Sequence, residues 1–235
     1  MASLITPMPR WPSSADSLSS PTPSSWTDMV RDMSSAPATQ DGKPEPTPDG
    51  RIVWVDCEMT GLDLAVDALV EIACIVTEAD LTPVDDGITV VIRPPEAALA
   101  QMAPIVVEMH ENSGLINEIP QGISLAAAAD QVLSYVRSHV PDNRKAPLAG
   151  STIYVDRGFL ARDMPDLDNH LHYRVIDVSS LKELARRWYP KVYYAGPEKT
   201  GNHRAMGDIL DSIAELRYYR EALMDGSPKA ATATN

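Results

Sequence analysis

The segment Arg51-Ile-Val-Trp-Val-Asp56-Cys-Glu58 constrains this chain more than any other. Its apolar run is β-branched and aromatic and follows the turn-forming Pro48-Asp49-Gly50, which predicts a short strand buried on both faces. The run ends in acids. Side chains alternate along a strand, so Asp56 and Glu58 share a face at its C-terminal end and Cys57 points the other way. Two carboxylates on one face are half of a metal site. Gly61 then opens a turn where a substrate backbone could approach. Acids also flank many strand ends without binding anything, so this spacing alone leaves both readings open.

Further strands are expected at Leu69–Thr77 and Ile88–Ile92, joined by turn chemistry over residues 80–87 into a meander. Leu125, Ala128, Ala129, Val132, Leu133 and Val136 recur at helical spacing after Ser124, a candidate N-cap. Residues 147–153 read as a strand entering a helix through Phe159, Leu160 and Met164, and Tyr173–Asp177 as one more strand. Ser180-Leu-Lys-Glu183 matches a capping box opening a helix through Trp188. A last helix is expected from about Ala205 to Leu223, with Ile209, Ile213, Leu216 and Tyr219 on one face. Strands come first and then alternate with helices, which predicts an α/β fold: a mixed sheet flanked by helices in a single domain.

The folded unit is expected to be residues 50–225. The first fifty residues hold 9 of the 20 prolines and 10 serines. Such a composition cannot bury enough surface to offset chain entropy, so residues 1–49 are read as a disordered tail. A start further downstream, at Met29 or Met33, and a partner-docking role for Trp11 and Trp26 are the alternatives. Residues 226–235 are small and polar and are expected to be disordered too. Two cysteines, Cys57 and Cys74, cannot build a disulfide framework or a four-thiolate zinc site. No stretch reaches the roughly 18 to 20 apolar residues of a spanning helix, and no secretory signal pattern opens the chain. These features predict a soluble cytoplasmic protein with no membrane association.

The formal net charge is −13, from 20 Lys plus Arg against 33 Asp plus Glu. That balance argues against a basic surface coating long nucleic acid, and no stable complex with long strands is expected. It leaves room for a nucleic-acid enzyme, because carboxylates that hold divalent ions carry the same sign and the ions can receive phosphates. Two further segments supply carboxylates. Asp156, in Gly150-Ser-Thr-Ile-Tyr-Val-Asp156-Arg-Gly-Phe-Leu160, lies in the first turn of a helix after a strand, where it could also simply favour the helix dipole. In His203-Arg-Ala-Met-Gly-Asp208 the end residues would be about 140° out of phase on one helix. They converge only if the helix begins between them, which the preceding Gly201-Asn202 permits. His203 would then sit on a loop.

These segments resemble the DEDD exonucleases of the ribonuclease-H-like superfamily, in the subgroup whose third motif carries histidine, and most closely the oligoribonucleases. The resemblance runs through Ile52-Val-Trp-Val-Asp-Cys-Glu-Met-Thr-Gly-Leu62, Asp156-Arg157 with Phe159-Leu-Ala-Arg162, His172-Tyr-Arg174, Leu181-Lys-Glu-Leu-Ala-Arg-Arg-Trp188 and Ile213-Ala-Glu-Leu-Arg-Tyr-Tyr-Arg220, covering about residues 51–223. It implies that Asp56, Glu58, Asp156 and Asp208 bind two divalent ions and that His203 is the general base. Hard carboxylate oxygens suit Mg²⁺ or Mn²⁺, and a lone imidazole with no thiolate nearby does not make a zinc cage.

The resemblance also implies substrate contacts. Leu62 matches a leucine that wedges between bases, and His110 a histidine that touches substrate. A base-stacking aromatic frequent in the family is replaced by Ile105, with Met102 or Met109 as possible substitutes. Gly150-Ser151-Thr152 stands where Gly-Asn-Ser is usual, which leaves Thr152 to supply the hydroxyl. Tyr173 and Arg174 match residues that reach across a homodimer interface to the substrate's 5′ phosphate; His170 and His172 are read as packing or surface groups. The implied function is 3′-to-5′ hydrolysis of very short oligoribonucleotides, linear dinucleotides included, to nucleoside 5′-monophosphates. A proofreading-type exonuclease on single-stranded DNA and a non-catalytic nucleic-acid-binding adaptor are the alternatives.

Overall fold

The computed structural model describes residues 50–199, 201 and 203–224; the expected tails at 1–49 and 226–235 lie outside these residues. Strands β1 (Ile52–Met59), β2 (Leu69–Thr77) and β3 (Ile88–Val91) are followed by the short helices α1 (Glu96–Ala100) and α2 (Pro104–Asn112) and the longer α3 (Leu125–His139). Then come β4 (Pro147–Gly150), α4 (Tyr154–Asp163), α5 (Pro165–His170), β5 (His172–Asp177), α6 (Val178–Trp188), α7 (Pro190–Tyr194) and α8 (Ala205–Tyr219). The sheet order is β3-β2-β1-β4-β5. The first three strands form the expected antiparallel meander, and β4 and β5 add in parallel.

Strand parity divides the core. Val53, Val55, Cys57 and Met59 face one way and pack with α3 residues Ala128, Val132 and Val136 and with Phe159 and Leu160 of α4. Ile52 and Trp54 face the other way and pack with Ala205, Ile209, Ile213 and Tyr219 of α8. Trp54 is fully buried, and its indole N–H donates to the Thr77 hydroxyl at 3.0 Å, so its one polar atom is satisfied. Asp56 and Glu58 extend the Trp54 parity beyond the apolar run, which aims them at the first turn of α8.

Four short helices have no counterpart in the periodicity: α1, α2, α5 and α7. Three of them begin with proline, at Pro104, Pro165 and Pro190, where the missing N–H costs nothing. Ser124 caps α3 as expected, accepting from Ala127 N at 3.3 Å. The capping box at Ser180 is not formed. α6 starts three residues earlier, capped by Asp177, whose carboxylate accepts from Ser179 N at 2.9 Å and from the Ser179 hydroxyl at 2.6 Å. A carboxylate at the strand end outcompetes the later serine because it serves the first free N–H groups. The last helix leaves α geometry at Tyr219 and continues as a π turn over Arg220–Met224.

Candidate metal centre

Asp56, Glu58 and Asp208 meet beyond the C-terminal end of β1. Each offers a carboxylate oxygen, and these atoms lie within 4.8 Å of one another, a group that could hold a metal ion. Glu58 is buried and the other two are half-buried. Asp156 stands beside the group but outside it. One of its oxygens accepts from Cys57 N at 2.9 Å. That N–H is available because β4 pairs with β1 only at Val53 and Trp54 and ends at Gly150, where the chain turns into α4.

The site's electrostatics are unfavourable without a cation. Burial, then the charges of Asp156, Asp208 and Glu58, pushes Asp56 up to about 9 from an ordinary 3.8. Burial followed by Asp208, Glu71 and Asp156 pushes Glu58 up to about 8, against the opposing pull of Arg204. Burial raises Asp156 to about 7 although Cys57 N–H bonding opposes it, and burial raises Asp208 while the nearby charges of His203 and Lys199 draw it down. Acids crowded in a low-dielectric site hold protons because several like charges cannot coexist there. A divalent ion removes that conflict, so the donor set fits hard cations.

His203 is exposed, has φ +49°, and precedes the helix, which begins at Ala205 with Arg204 at the N-cap. Histidine tolerates the left-handed region better than most residues. The expected break between His203 and Asp208 is therefore present, and Gly201 also has positive φ at 62°; Asn202 lies outside the described residues. The start of α8 is pinned by a residue the sequence reading did not single out. Glu71 is fully buried; it accepts from Ala205 N at 2.9 Å and from Arg204 at 2.7 and 3.0 Å, while Arg204 also bonds Glu118 at 2.7 Å. Its signal was a lone charge within the apolar strand Leu69-Val-Glu71-Ile.

The remaining expected residues are scattered around this centre. Leu62 is 73% exposed, on the loop after β1. Gly61 is needed there for an internal reason, because a Cβ would lie 2.4 Å from the Asp67 carboxylate. His110 is fully buried: its Nε2 bonds the Met59 carbonyl at 2.9 Å and its Nδ1 lies 3.9 Å from Glu58. A ring with no exposed atom cannot touch substrate in this arrangement; its polar neighbours are the Met59 carbonyl and Glu58. Ile105 is 70% exposed, whereas Met102 is buried and cannot stack on a base, leaving half-buried Met109 of the two methionines. Thr152 is exposed at φ +60°, a strained setting for a β-branched residue, held by its N–H bond to Asp177 at 2.9 Å.

Tyr173 and Arg174 are exposed on the edge strand β5, with the guanidinium 5.5 Å from the phenol ring centre. Val175 is level with Leu148, and Leu148 with Val53. At roughly 3.3 Å per residue, Arg174 therefore sits about 20 Å along the strand direction from Glu58, and two strands away. Within one chain these residues do not meet the acids. His170 is buried, with Nε2 on the Val140 carbonyl at 2.7 Å, and His172 lies against Tyr173 with ring centres 4.4 Å apart, which is packing as expected.

A helix-flanked mixed sheet with acids clustered at one strand end is the architecture of a ribonuclease-H-like exonuclease. Residues 53–216 match the RNase T exonuclease family. The fold resembles exonuclease I of Escherichia coli in its metal-free complex with single-stranded DNA, with a TM-score of 0.55 at 16% identity over 74% of this chain and 40% of that one. It also resembles exonuclease I of Methylocaldum szegediense, with a TM-score of 0.51 at 20% identity over 74% of this chain and 41% of that one. The chain thus spans about two fifths of those larger proteins. Sequence relatives are nearer. The oligoribonuclease of Streptomyces griseus is 58% identical over 178 residues, 76% of this chain and 89% of the relative. That of Leifsonia xyli is 58% identical over 186 residues, 79% and 90%, and that of Rhodococcus jostii 53% over 184 residues, 78% and 92%. The chain belongs to the oligoribonuclease branch of the exonuclease family. Among the described residues no helix is long and apolar enough to cross a membrane.

Proposed function

We propose that this protein removes nucleoside 5′-monophosphates from the 3′ end of very short oligoribonucleotides, linear dinucleotides included. The observation that carries the reading is the convergence of Asp56, Glu58 and Asp208 on one buried point beside Asp156. Two Mg²⁺ or Mn²⁺ ions held by these four acids would supply the Lewis acidity for hydrolysis. His203, on an exposed loop before the helix that carries Asp208, takes the proton of the attacking water. Leu62, exposed on the loop after β1, stands between the two bases, and the Thr152 hydroxyl bonds the substrate.

Tyr173 and Arg174 close the pocket on the 5′ phosphate, donated by a second copy of the chain. Support for this assignment is their separation from the acids of their own chain and their place on an open sheet edge, where Val175 is also exposed. A guanidinium and a phenol suit a terminal phosphate, and a capped pocket rejects long strands. The protein acts as a cytoplasmic homodimer in this reading.

The test is a ladder of 5′-labelled RNAs, from dinucleotide upward, incubated with Mg²⁺ and analysed for product size. The shortest species should disappear first, releasing nucleoside 5′-monophosphates. Faster loss of long strands, or a preference for single-stranded DNA, would favour the proofreading reading instead.

A further inference from the structure

The loop that carries Leu62 is held from outside by the helix that carries Asp156. Its neck is closed by Thr60 N to Ala68 O at 2.9 Å, and its interior is filled by the Asp67 carboxylate, which accepts from the Thr60 hydroxyl and from Asp63 N, both at 2.9 Å. These contacts lie within the loop. Three others tie it to neighbouring parts of the fold. Gln101 Nε2 donates to the Val66 carbonyl at 2.7 Å. The Leu64 side chain lies over Gly158 of α4, where a Cβ would be 3.1 Å from its methyl. Arg162, one turn further along α4, donates to the carbonyls of both Leu64 and Asp67, the latter at 2.9 Å.

Arg162 is itself fixed in place. Its Nε and Nη2 bond the two oxygens of Asp163 at 2.7 and 2.5 Å, and its guanidinium lies 4.9 Å from the ring centre of the fully buried Phe159. A planar fork held on one side by a carboxylate and below by a ring presents its remaining N–H groups in one direction. α4 thus begins with a metal-site acid and ends with a clamp on the loop beside it.

We propose that Arg162 is a positioning residue for the reaction: it sets the height of Leu62 over the metal centre, and so fixes how the two bases of a bound dinucleotide straddle the scissile phosphate. The inference rests on the function proposed above and adds a residue that touches neither substrate nor metal. A misplacement of about 1 Å costs on the order of 10²-fold in rate, so Arg162→Ala should lower kcat on a dinucleotide by roughly tenfold to a hundredfold, with KM changing less. Arg162→Lys can reach one carbonyl at a time and should recover part of the loss.

The experiment compares wild type, Arg162→Ala, Leu62→Ala and the double variant on a dinucleotide and on thymidine 5′-p-nitrophenyl phosphate, which has one base and nothing to straddle. Arg162→Ala should slow the dinucleotide far more than the ester, and should add less than about twofold to the loss already caused by Leu62→Ala, the non-additivity expected when one residue acts through another. Equal losses on both substrates, or additive losses in the double variant, would overturn the proposal. Wild type that cleaves neither substrate would instead overturn the function on which it rests. If Arg162→Ala fails to fold, Gln101→Ala and Arg162→Lys give the same comparison; an unchanged dinucleotide rate in both would overturn the proposal.

Discussion

Glu58 and Glu71 are cross-strand partners in the sheet, both buried acids, and their surroundings could hardly differ more. Glu71 is surrounded by donors, two from the Arg204 side chain and one from Ala205 N. Glu58 faces Asp56 and Asp208, whose charges oppose its own, while Arg204 draws it the other way and the His110 ring lies 3.9 Å off. Buried charges are retained either because they are paired or because a partner arrives later. Glu71 belongs to the first kind and organises the start of α8. Glu58 belongs to the second: it lies in a group of carboxylates that could hold a metal ion.

Removing a site acid tests one side of that contrast and should have the largest effect. Asp56→Asn should lower hydrolysis by roughly 10³-fold or more, the loss that follows when several kcal/mol of Lewis-acid stabilisation is withdrawn. The same change removes a group that must take up a proton to fold at neutral pH, so the metal-free variant should melt above metal-free wild type in a calorimeter. A lower melting point would place Asp56 with Glu71 among the structural acids.

His203→Ala follows, with an expected fall of roughly 10² to 10⁴ in kcat, the span for a positioned general base. Mg²⁺ affinity should be unchanged in the variant. A matching loss of Mg²⁺ affinity would place His203 among the metal-binding groups instead.

Glu71→Ala should show the opposite balance to Asp56→Asn: destabilisation first, activity second. Breaking a buried pair costs about 3 to 5 kcal/mol. The low end applies, because Arg204 is 28% exposed and keeps Glu118. Urea unfolding measures the cost, and a displaced α8 should lower kcat by moving Asp208 and His203. Normal stability in this variant would erase the distinction between the two glutamates.

Ser124→Ala should give the smallest effect, about 1 kcal/mol of stability for a lost N-cap, with kcat unchanged because α3 packs on the face opposite Asp56 and Glu58. A change in kcat would mean that the two faces of the sheet are coupled.

Strand parity made much of the centre legible in the sequence: the period of two placed Asp56 and Glu58 together, and the five-residue spacing required α8 to begin between His203 and Asp208. Parity could not show what a residue bonds. Glu71 looked like one charge in an apolar strand, and its meaning came from Arg204, 133 positions away. Arg162 stood in the Phe159-Leu-Ala-Arg162 segment without a role, because its partners across the fold are main-chain carbonyls, available at almost any residue. The burial of His110 left no sign in the sequence. The Ser180 box was a valid local signal overruled by Asp177 three residues earlier, and the proline-led helices α2, α5 and α7 are too short for periodicity to register.

Burial, with neighbouring carboxylates, pushes Asp56, Glu58 and Asp156 up to about 9, 8 and 7 from ordinary values of 3.8, 4.5 and 3.8. The fold therefore holds more protons than the unfolded chain between those limits, and metal-free stability is full below about pH 4 and declines as pH rises towards the folded values. Metal binding must displace the same protons. The decisive measurement is calorimetric titration with Mg²⁺ at pH 7 in buffers of different ionisation enthalpy, which counts protons released. The account predicts release of roughly two protons, with affinity rising between pH 7 and 9 and both signals lost in Asp56→Asn. Binding without proton release, or binding of equal strength in Asp56→Asn, would contradict it.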